Sequence, residues 1–246
     1  MSIKGLLVGM GSMGSNHARI LFSTEHEIVL VDTNLGDLNL KKFNFLDIYD
    51  NIDDALSAHK YAFAVVCTPT NTHFSICKKL IKKNISLLIE KPIVDNVNDA
   101  TELLKLIESS SAKVLPGHIE RYNPAVVFLK NKLAEVDLDS VYRVEVIRAS
   151  PFPPRMGDVG VALDLSVHDL DVLNYLFGIK VSSLYCRRSQ NLHATHEDGI
   201  IAYLNYGGRF DCFMNTNWTS PVKQRTLRVF GAWGMFELNF IEQSVH

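Results

Sequence analysis

Gly9-Met10-Gly11-Ser12-Met13-Gly14 decides the fold. These six residues fit G-x-G-x-x-G, follow directly on the strand-like run Ile3 to Val8, and open a helical stretch carrying Ala18, Ile20 and Leu21. In that setting each glycine has a mechanical reason. The first allows a tight turn, a side chain at the second would hold a pyrophosphate away from the backbone, and the third lets the helix pack closely on the strand. The helix N-terminus then offers unpaired N–H groups to an anion. A glycine turn without a ligand would look the same locally, and the next strand, Glu27 to Val31, argues against it because it runs into Asp32. An acid about 20 residues beyond the loop accepts hydrogen bonds from the adenosine ribose and repels a 2′-phosphate. The pattern predicts a dinucleotide site that takes NAD in preference to NADP.

Outward from this loop, Tyr61 to Cys67, Ser86 to Ile89 and Lys113 to Pro116 are further short apolar runs, alternating with helical stretches that start near Met13, Thr72 and Val97. Alternation of this kind predicts an α/β, doubly wound parallel sheet of the Rossmann type. Asn34 to Asp50 is less regular and reads as a weak helix with one short strand. After about Gly117 the pattern changes. A short helix near Asn123, a strand Val141 to Arg148, a proline loop (Pro151, Pro153, Pro154) and a helix Leu163 to Phe177 stopped by Gly178 come first. Strand-like runs come after them at Val181 to Ser189, Gly199 to Tyr206, Arg209 to Asn217, Arg225 to Phe230 and Met235 to Phe240, with Gly207-Gly208 as a hairpin turn. The expected second half is an α+β domain with a large, mainly antiparallel open sheet, and the domains are expected over 1–118 and 119–246.

Three elements beyond the glycine loop carry polar chemistry. Thr68-Pro69-Thr70-Asn71-Thr72-His73 follows a strand at the carboxyl end of the sheet, where ligands bind in this architecture; Asn71 or Thr72 also suits a helix cap there. Glu90-Lys91-Pro92 follows the strand Ser86 to Ile89, which points Lys91 toward the ligand crevice, and a cis bond before Pro92 would aim that side chain. Asp164 and His168 are spaced i, i+4, with Asp171 at i+7, so a helix groups them on one face. The apolar positions Leu163, Val167, Leu170 and Leu173 form a different stripe.

Composition narrows the partners. The 246 residues are 47% hydrophobic and 21% charged, and 25 basic against 27 acidic residues give a formal charge of −2. That balance lacks the basic footprint of nucleic-acid binding, and no run approaches the roughly 18 apolar residues of a membrane span. Met1 to Gly9 lacks the regions of a signal peptide, so a cytoplasmic location is expected. Cys67, Cys77, Cys186 and Cys212 show no metal-ligand spacing and are expected as buried thiols, with no metal site.

Taken in order and spacing, Gly9 to Gly14, Glu90-Lys91-Pro92 and the D-x-x-x-H of Asp164 to His168 resemble the Gfo/Idh/MocA family of oxidoreductases over almost the whole chain. The resemblance implies that the first domain binds NAD or NADP and the second binds substrate. It also implies that the second domain's sheet builds a homo-oligomer, a dimer or tetramer. Cofactor contacts then fall on Gly9, Gly11, Ser12, Met13, Gly14, Asp32, Thr68, Pro69, Asn71, His73, Glu90 and Lys91, and the catalytic set on Lys91, Asp164 and His168. The implied reaction moves a hydride between the nicotinamide and a secondary alcohol of a sugar. His168 suits the base because imidazole titrates near neutral pH, Asp164 can orient it, and Lys91 shares the proton transfer.

The stretches His118 to Pro124 and Pro151 to Arg155 resemble a branch with UDP-N-acetylglucosamine 3-dehydrogenases. Arg121, Asn123 and Arg155, with Lys91, Asp164 and His168, are then expected to line the substrate site. Arg121, Arg155, Lys223 and Arg225 offer charge-assisted bonds to a diphosphate. Two alternatives differ in class or substrate: a non-catalytic NAD-binding sensor or inactive truncated relative, and a dehydrogenase of a free sugar, inositol or other cyclic alcohol. Family members run on past the last strand, whereas this chain stops at Val245-His246, which is expected to bear on activity more than on fold.

Overall fold

The computed structural model describes residues 3–37, 40–153 and 159–246, so Arg155 lies outside the described residues. The chain divides into two compact units, Met1–Gly117 and His118–His246.

In the first unit the apolar runs become six strands: β1 Lys4–Val8, β2 Glu27–Val31, β3 Ile48–Tyr49, β4 Phe63–Val66, β5 Ser86–Ile89 and β6 Val114–Pro116. They pair in parallel in the order β3-β2-β1-β4-β5-β6. Helices α1 Ser12–Leu21, α2 Ile52–Ala58, α3 Thr70–Lys82 and α4 Val97–Glu108 form the connections. The strand order reverses between β1 and β4, the point at which open α/β sheets bind ligands beyond their carboxyl ends. Register makes this concrete. Val8 stands opposite Val31 and Val66, and Val66 opposite Ile89, so Gly9, Cys67 and Glu90 leave the sheet side by side. Their N–H groups extend the ladder, donating to Val31 O (2.8 Å), Val8 O (2.8 Å) and Val66 O (2.9 Å).

Helix α2 is not legible in the sequence because Asp53 and Asp54 interrupt its apolar spacing; Asn51 caps it by accepting from Asp53 N at 2.8 Å. The expected strand over Tyr61 to Cys67 is shorter at both ends. Tyr61 instead turns its hydroxyl to Ala55 O (3.0 Å), tying α2 to the sheet.

The second unit begins with helix α5 Pro124–Leu133 and strand β7 Val141–Ala149, and then has a π-helical turn, Ala162–Ser166, that runs into α6 Val167–Phe177. Strands β8 Ser183–Ser189, β9 Gly199–Asn205, β10 Asp211–Asn217, β11 Gln224–Gly231, β12 Gly234–Asn239 and β13 Ser244–Val245 complete it. The sheet order is β13-β12-β11-β7-β10-β9-β8, antiparallel except where β7 and β10 run parallel. Helices α5 and α6 cover one face, burying Val126, Leu129, Val172 and Leu173 against Val144, Val146, Met214 and Leu227. The strands' period of two sends Ile201 and Phe213 to the opposite face, where both are exposed. Cys186 is exposed on β8, which corrects the expectation of four buried thiols. No helix among the described residues is long and apolar enough to cross a membrane.

Candidate active site

The glycine loop is shaped by what a side chain would strike. Gly9 has φ +92°, and a Cβ there would lie 2.9 Å from the Cys67 backbone; a Cβ on Gly14 would overlap Gly9 O. A Cβ on Gly11 would meet nothing within 4 Å, so its absence leaves open space at the head of α1, where Ser12 and Met13 are also exposed. Helix α1 starts without a side-chain cap and without an acid in its first turn, leaving its positive end for an anion. Asp32 holds the loop in place: Oδ2 accepts from Met10 N (2.7 Å) and Oδ1 from Asn34 N (2.8 Å). A carboxylate has about four acceptor positions, so ribose hydroxyls still find room. Beside it opens a cleft of about 800 Å³ lined by Gly9, Gly11, Asp32, Thr68, Pro69 and Ile52. Cradle, acid and cleft fit the adenosine diphosphate half of NAD.

The α3 end of this cleft departs from expectation. The N-cap position is Pro69, with no side-chain cap, and Asn71 is exposed. Thr72 does not cap; its hydroxyl donates back to Pro69 O (2.7 Å) and lies 2.8 Å from the Thr68 hydroxyl. His73, expected at the cofactor, is 1% exposed. Its Nδ1 faces Pro92 O (3.0 Å) and Ile93 O (3.2 Å), and its Nε2 faces Thr68 O (2.8 Å). Both ring nitrogens therefore face backbone carbonyls.

The Glu90-Lys91-Pro92 turn has a cis Lys91–Pro92 peptide. Glu90 is buried, with Oε1 2.7 Å from His17 Nε2 and Oε2 accepting from Lys91 N at 3.3 Å. His17 lies outside the sequence motifs; its signal is its spacing of three from Gly14, which puts it on the face of α1 that the glycine turns to the sheet. Burial, aided by Glu90, pushes the Cys67 thiol up to about 12, so Cys67 packs as a neutral group.

In the second unit Asp164 lies within the π-helical turn and His168 in the first turn of α6, both half-buried. The turn is anchored by Asp164 N donating to Gly160 O (3.0 Å) and Ala162 N donating to Glu197 Oε1 (3.1 Å). A π-turn adds a residue to the helical repeat, which rotates the helix beyond it. The expected apolar stripe holds only in part: Leu173 is buried, but Leu163 and Leu170 are exposed, and Leu165, Asp169 and Val172 are buried in their place. Asp169 accepts from Arg148 Nε at 2.8 and 2.9 Å, and Glu120 lies 3.3 Å from Arg148 Nη1. Burial disfavours the Arg148 charge, but Asp169 and Glu120 outweigh it and hold the guanidinium above its usual range.

Several expected site residues have partners within their own unit. Asp171 does not continue a free acidic face: it takes Arg121 Nη2 at 2.5 Å and Nε at 2.9 Å, with His118 at 3.6 Å. Arg121 is thereby occupied within its own unit, its guanidinium 5.3 Å from the Tyr175 ring. Asn123 is buried as the cap of α5, accepting from Ala125 N (3.1 Å) and donating to Phe240 O (3.1 Å). Arg225, expected at a diphosphate, sits among Arg148, Glu120, Asp169 and Asp164, where burial and Arg148 lower its pKa. Among the described residues no group of three or more His, Cys, Asp or Glu side chains could hold a metal ion.

Known proteins resemble both units. Residues 3–118 match the oxidoreductase family described by an NAD-binding Rossmann fold, and residues 128–237 match the GFO/IDH/MocA C-terminal domain. The UDP-N-acetylglucosamine 3-dehydrogenase of Acidithiobacillus ferrooxidans is 28% identical over 179 residues, 70% of this chain and 53% of the relative. The inositol 2-dehydrogenase of Rhizobium meliloti is 24% identical over 131 residues, 52% of this chain and 40% of the relative. The chain thus spans about half the length of the curated relatives it matches. In fold it is similar to the WlbA dehydrogenase from Bordetella pertussis, solved with NADH and UDP-GlcNAcA. There the TM-score is 0.88 and the identity 18%, over 97% of this chain and 79% of that one.

Proposed function

The chain belongs to the Gfo/Idh/MocA oxidoreductase family, and its first unit is an NAD-binding Rossmann domain; on that premise we propose that it transfers a hydride between NAD and a secondary alcohol of a sugar. The reading is carried by the contact of Glu90 with His17, which ties the Lys91 turn to the helix whose head forms the glycine cradle. Oxidation of an alcohol removes a hydride from carbon and a proton from oxygen. NAD, when bound, supplies the hydride acceptor. Lys91 and His168 serve the proton: a lysine ammonium polarises the substrate oxygen, an imidazole accepts its proton, and Asp164 supports the imidazole.

For substrate we infer a nucleotide sugar, with the 3-hydroxyl of UDP-N-acetylglucosamine as the first candidate, supported by the named activity of the 28% identical relative. A free cyclic alcohol such as an inositol is the second reading. It is favoured by the internal pairing of Arg121 with Asp171, which removes an expected diphosphate ligand. We further infer a second copy on the open face of the second unit's sheet, since Ile201 and Phe213 lie exposed there.

A thermal-shift series with NAD, NADP, UDP-N-acetylglucosamine and myo-inositol, followed by absorbance assays of NADH formation, tests the reading. A ligand at 100 times its dissociation constant adds about 2.7 kcal/mol. NAD should shift the transition, and one sugar class should be oxidised. Absence of an NAD shift would overturn the proposal, and an NAD shift without turnover would favour a sensor. Light scattering reads the copy number.

A further inference from the structure

We propose that His73 is a positioning residue that locks the loop receiving the nucleotide to the turn carrying Lys91. The proposal rests on the nucleotide-site reading above.

The observation is a two-sided contact. His73, in the first turn of α3, has Nε2 2.8 Å from Thr68 O and Nδ1 3.0 Å from Pro92 O. Thr68 lines the cleft beside the glycine loop, and Pro92 follows Lys91 directly. The two loops leave neighbouring strands, β4 and β5, and His73 spans them beyond the last ladder bond at Glu90 N. Buried carbonyls need donors, and an unpaired one carries a desolvation penalty. Carbonyl oxygens only accept, so a neutral ring donates to one loop and packs against the other, and a ring with both nitrogens protonated donates to both. With 1% of its surface exposed, the ring is closed off from solvent and is placed to act through these loops. The other side of the turn is held independently by His17 on Glu90. Lys91 therefore stands on a turn braced from two helices, and the α3 brace is also the wall of the cleft. A ligand that orders the Thr68 loop should then order the Lys91 turn through His73, a coupling between two places that is reciprocal by thermodynamic necessity.

ADP-ribose is the probe, because it fills the adenosine diphosphate site without a nicotinamide ring to approach Lys91. Hydrogen exchange of the peptide spanning residues 91–97 is measured with and without ADP-ribose in the unmodified chain and in His73→Phe, which keeps a ring and deletes both contacts. The expected result is slowing by ADP-ribose in the unmodified chain and none in the variant, although the variant binds the probe within about fivefold. Equal slowing in both would overturn the proposal. If His73→Phe does not fold, His73→Gln, which reaches one carbonyl, should show reduced slowing, and full slowing there would overturn it. Where a sugar is turned over, His73→Phe should lower kcat about tenfold or more with little change in KM for NAD, and should add nothing in a Lys91→Met background. Additive loss in that background would mark a role not exerted through Lys91 and overturn the proposal. Failure of ADP-ribose to bind the unmodified chain would instead overturn the nucleotide-site reading, and this proposal with it.

Discussion

The Nε2 of His17 lies 2.7 Å from Oε1 of Glu90, joining helix α1 to the end of β5. Because α1 also begins at the glycine loop, this one contact sets where the Lys91 turn stands relative to the cradle. A carboxylate as buried as Glu90 needs such a partner.

His17→Leu should therefore destabilise the first unit by about 1–3 kcal/mol, the cost of leaving a buried acceptor unpaired. His17→Gln, which keeps a donor, should recover much of it. Urea unfolding of the two variants gives the comparison, and equal stability of His17→Leu and the unmodified chain would refute it.

Asp32→Ala removes the acceptor for the ribose hydroxyls and also frees Met10 N and Asn34 N. NAD affinity should fall about 10- to 100-fold, as for loss of charge-assisted bonds. NADP affinity should fall less, or rise, because the repulsion of a 2′-phosphate goes with the carboxylate. Calorimetric titration with both nucleotides reads the ratio, and an unchanged ratio would count against Asp32 as the selector.

Lys91→Met and His168→Ala should each lower kcat by about 10² or more while leaving NAD binding within a few-fold. The assay is turnover of whichever sugar the ligand series identifies. Near-normal kcat in both variants would remove these residues from proton transfer.

Asp169→Asn should be among the most damaging single changes. It strips the charge partner from Arg148, which is 1% exposed, and Glu120 alone remains at 3.3 Å. Breaking a buried pair from one side costs about 3–5 kcal/mol. Arg148→Met with Asp169→Leu should be milder than the single change, and thermal melts of the three proteins decide it.

Asp198 gives a pH signature. Burial raises its pKa, but N–H groups of Leu192, His193 and Asn191 outweigh that and hold the carboxyl below the usual range. A depressed folded-state value means stabilisation that is complete above the ordinary aspartate pKa of about 3.9 and lost as pH falls through the lower folded value. Asp198→Asn should therefore melt lower at neutral pH, and its difference from the unmodified chain should shrink as pH falls below the ordinary aspartate value. A constant difference would show that the charge is not what stabilises the loop.

Much of the first unit is readable because its signals are local. A glycine motif between strand and helix, an acid ending the next strand, and Lys91 after a third strand are each defined within a few residues. Parallel pairing then places their ends together. The second sheet is likewise readable from alternation and from Gly207-Gly208, both of which adopt positive φ. Helix α2 escapes because it is short and acid-interrupted.

Sequence spacing could not reach the phase of the helix bearing Asp164 and His168. Periodicity assumes about 3.6 residues per turn, and the π-helical turn at Ala162–Ser166 breaks that assumption. Beyond it Leu170 is exposed and Asp169 beside it buried. Nor does spacing reveal that Arg121 is claimed by Asp171, 50 residues away, or that Arg148 must be answered by Asp169. The local order of residues determined the strands, the cradle and the identity of the chemical groups. Tertiary packing alone decided which groups stay available to a ligand, because a buried charge or carbonyl must find its partner wherever in the chain one lies.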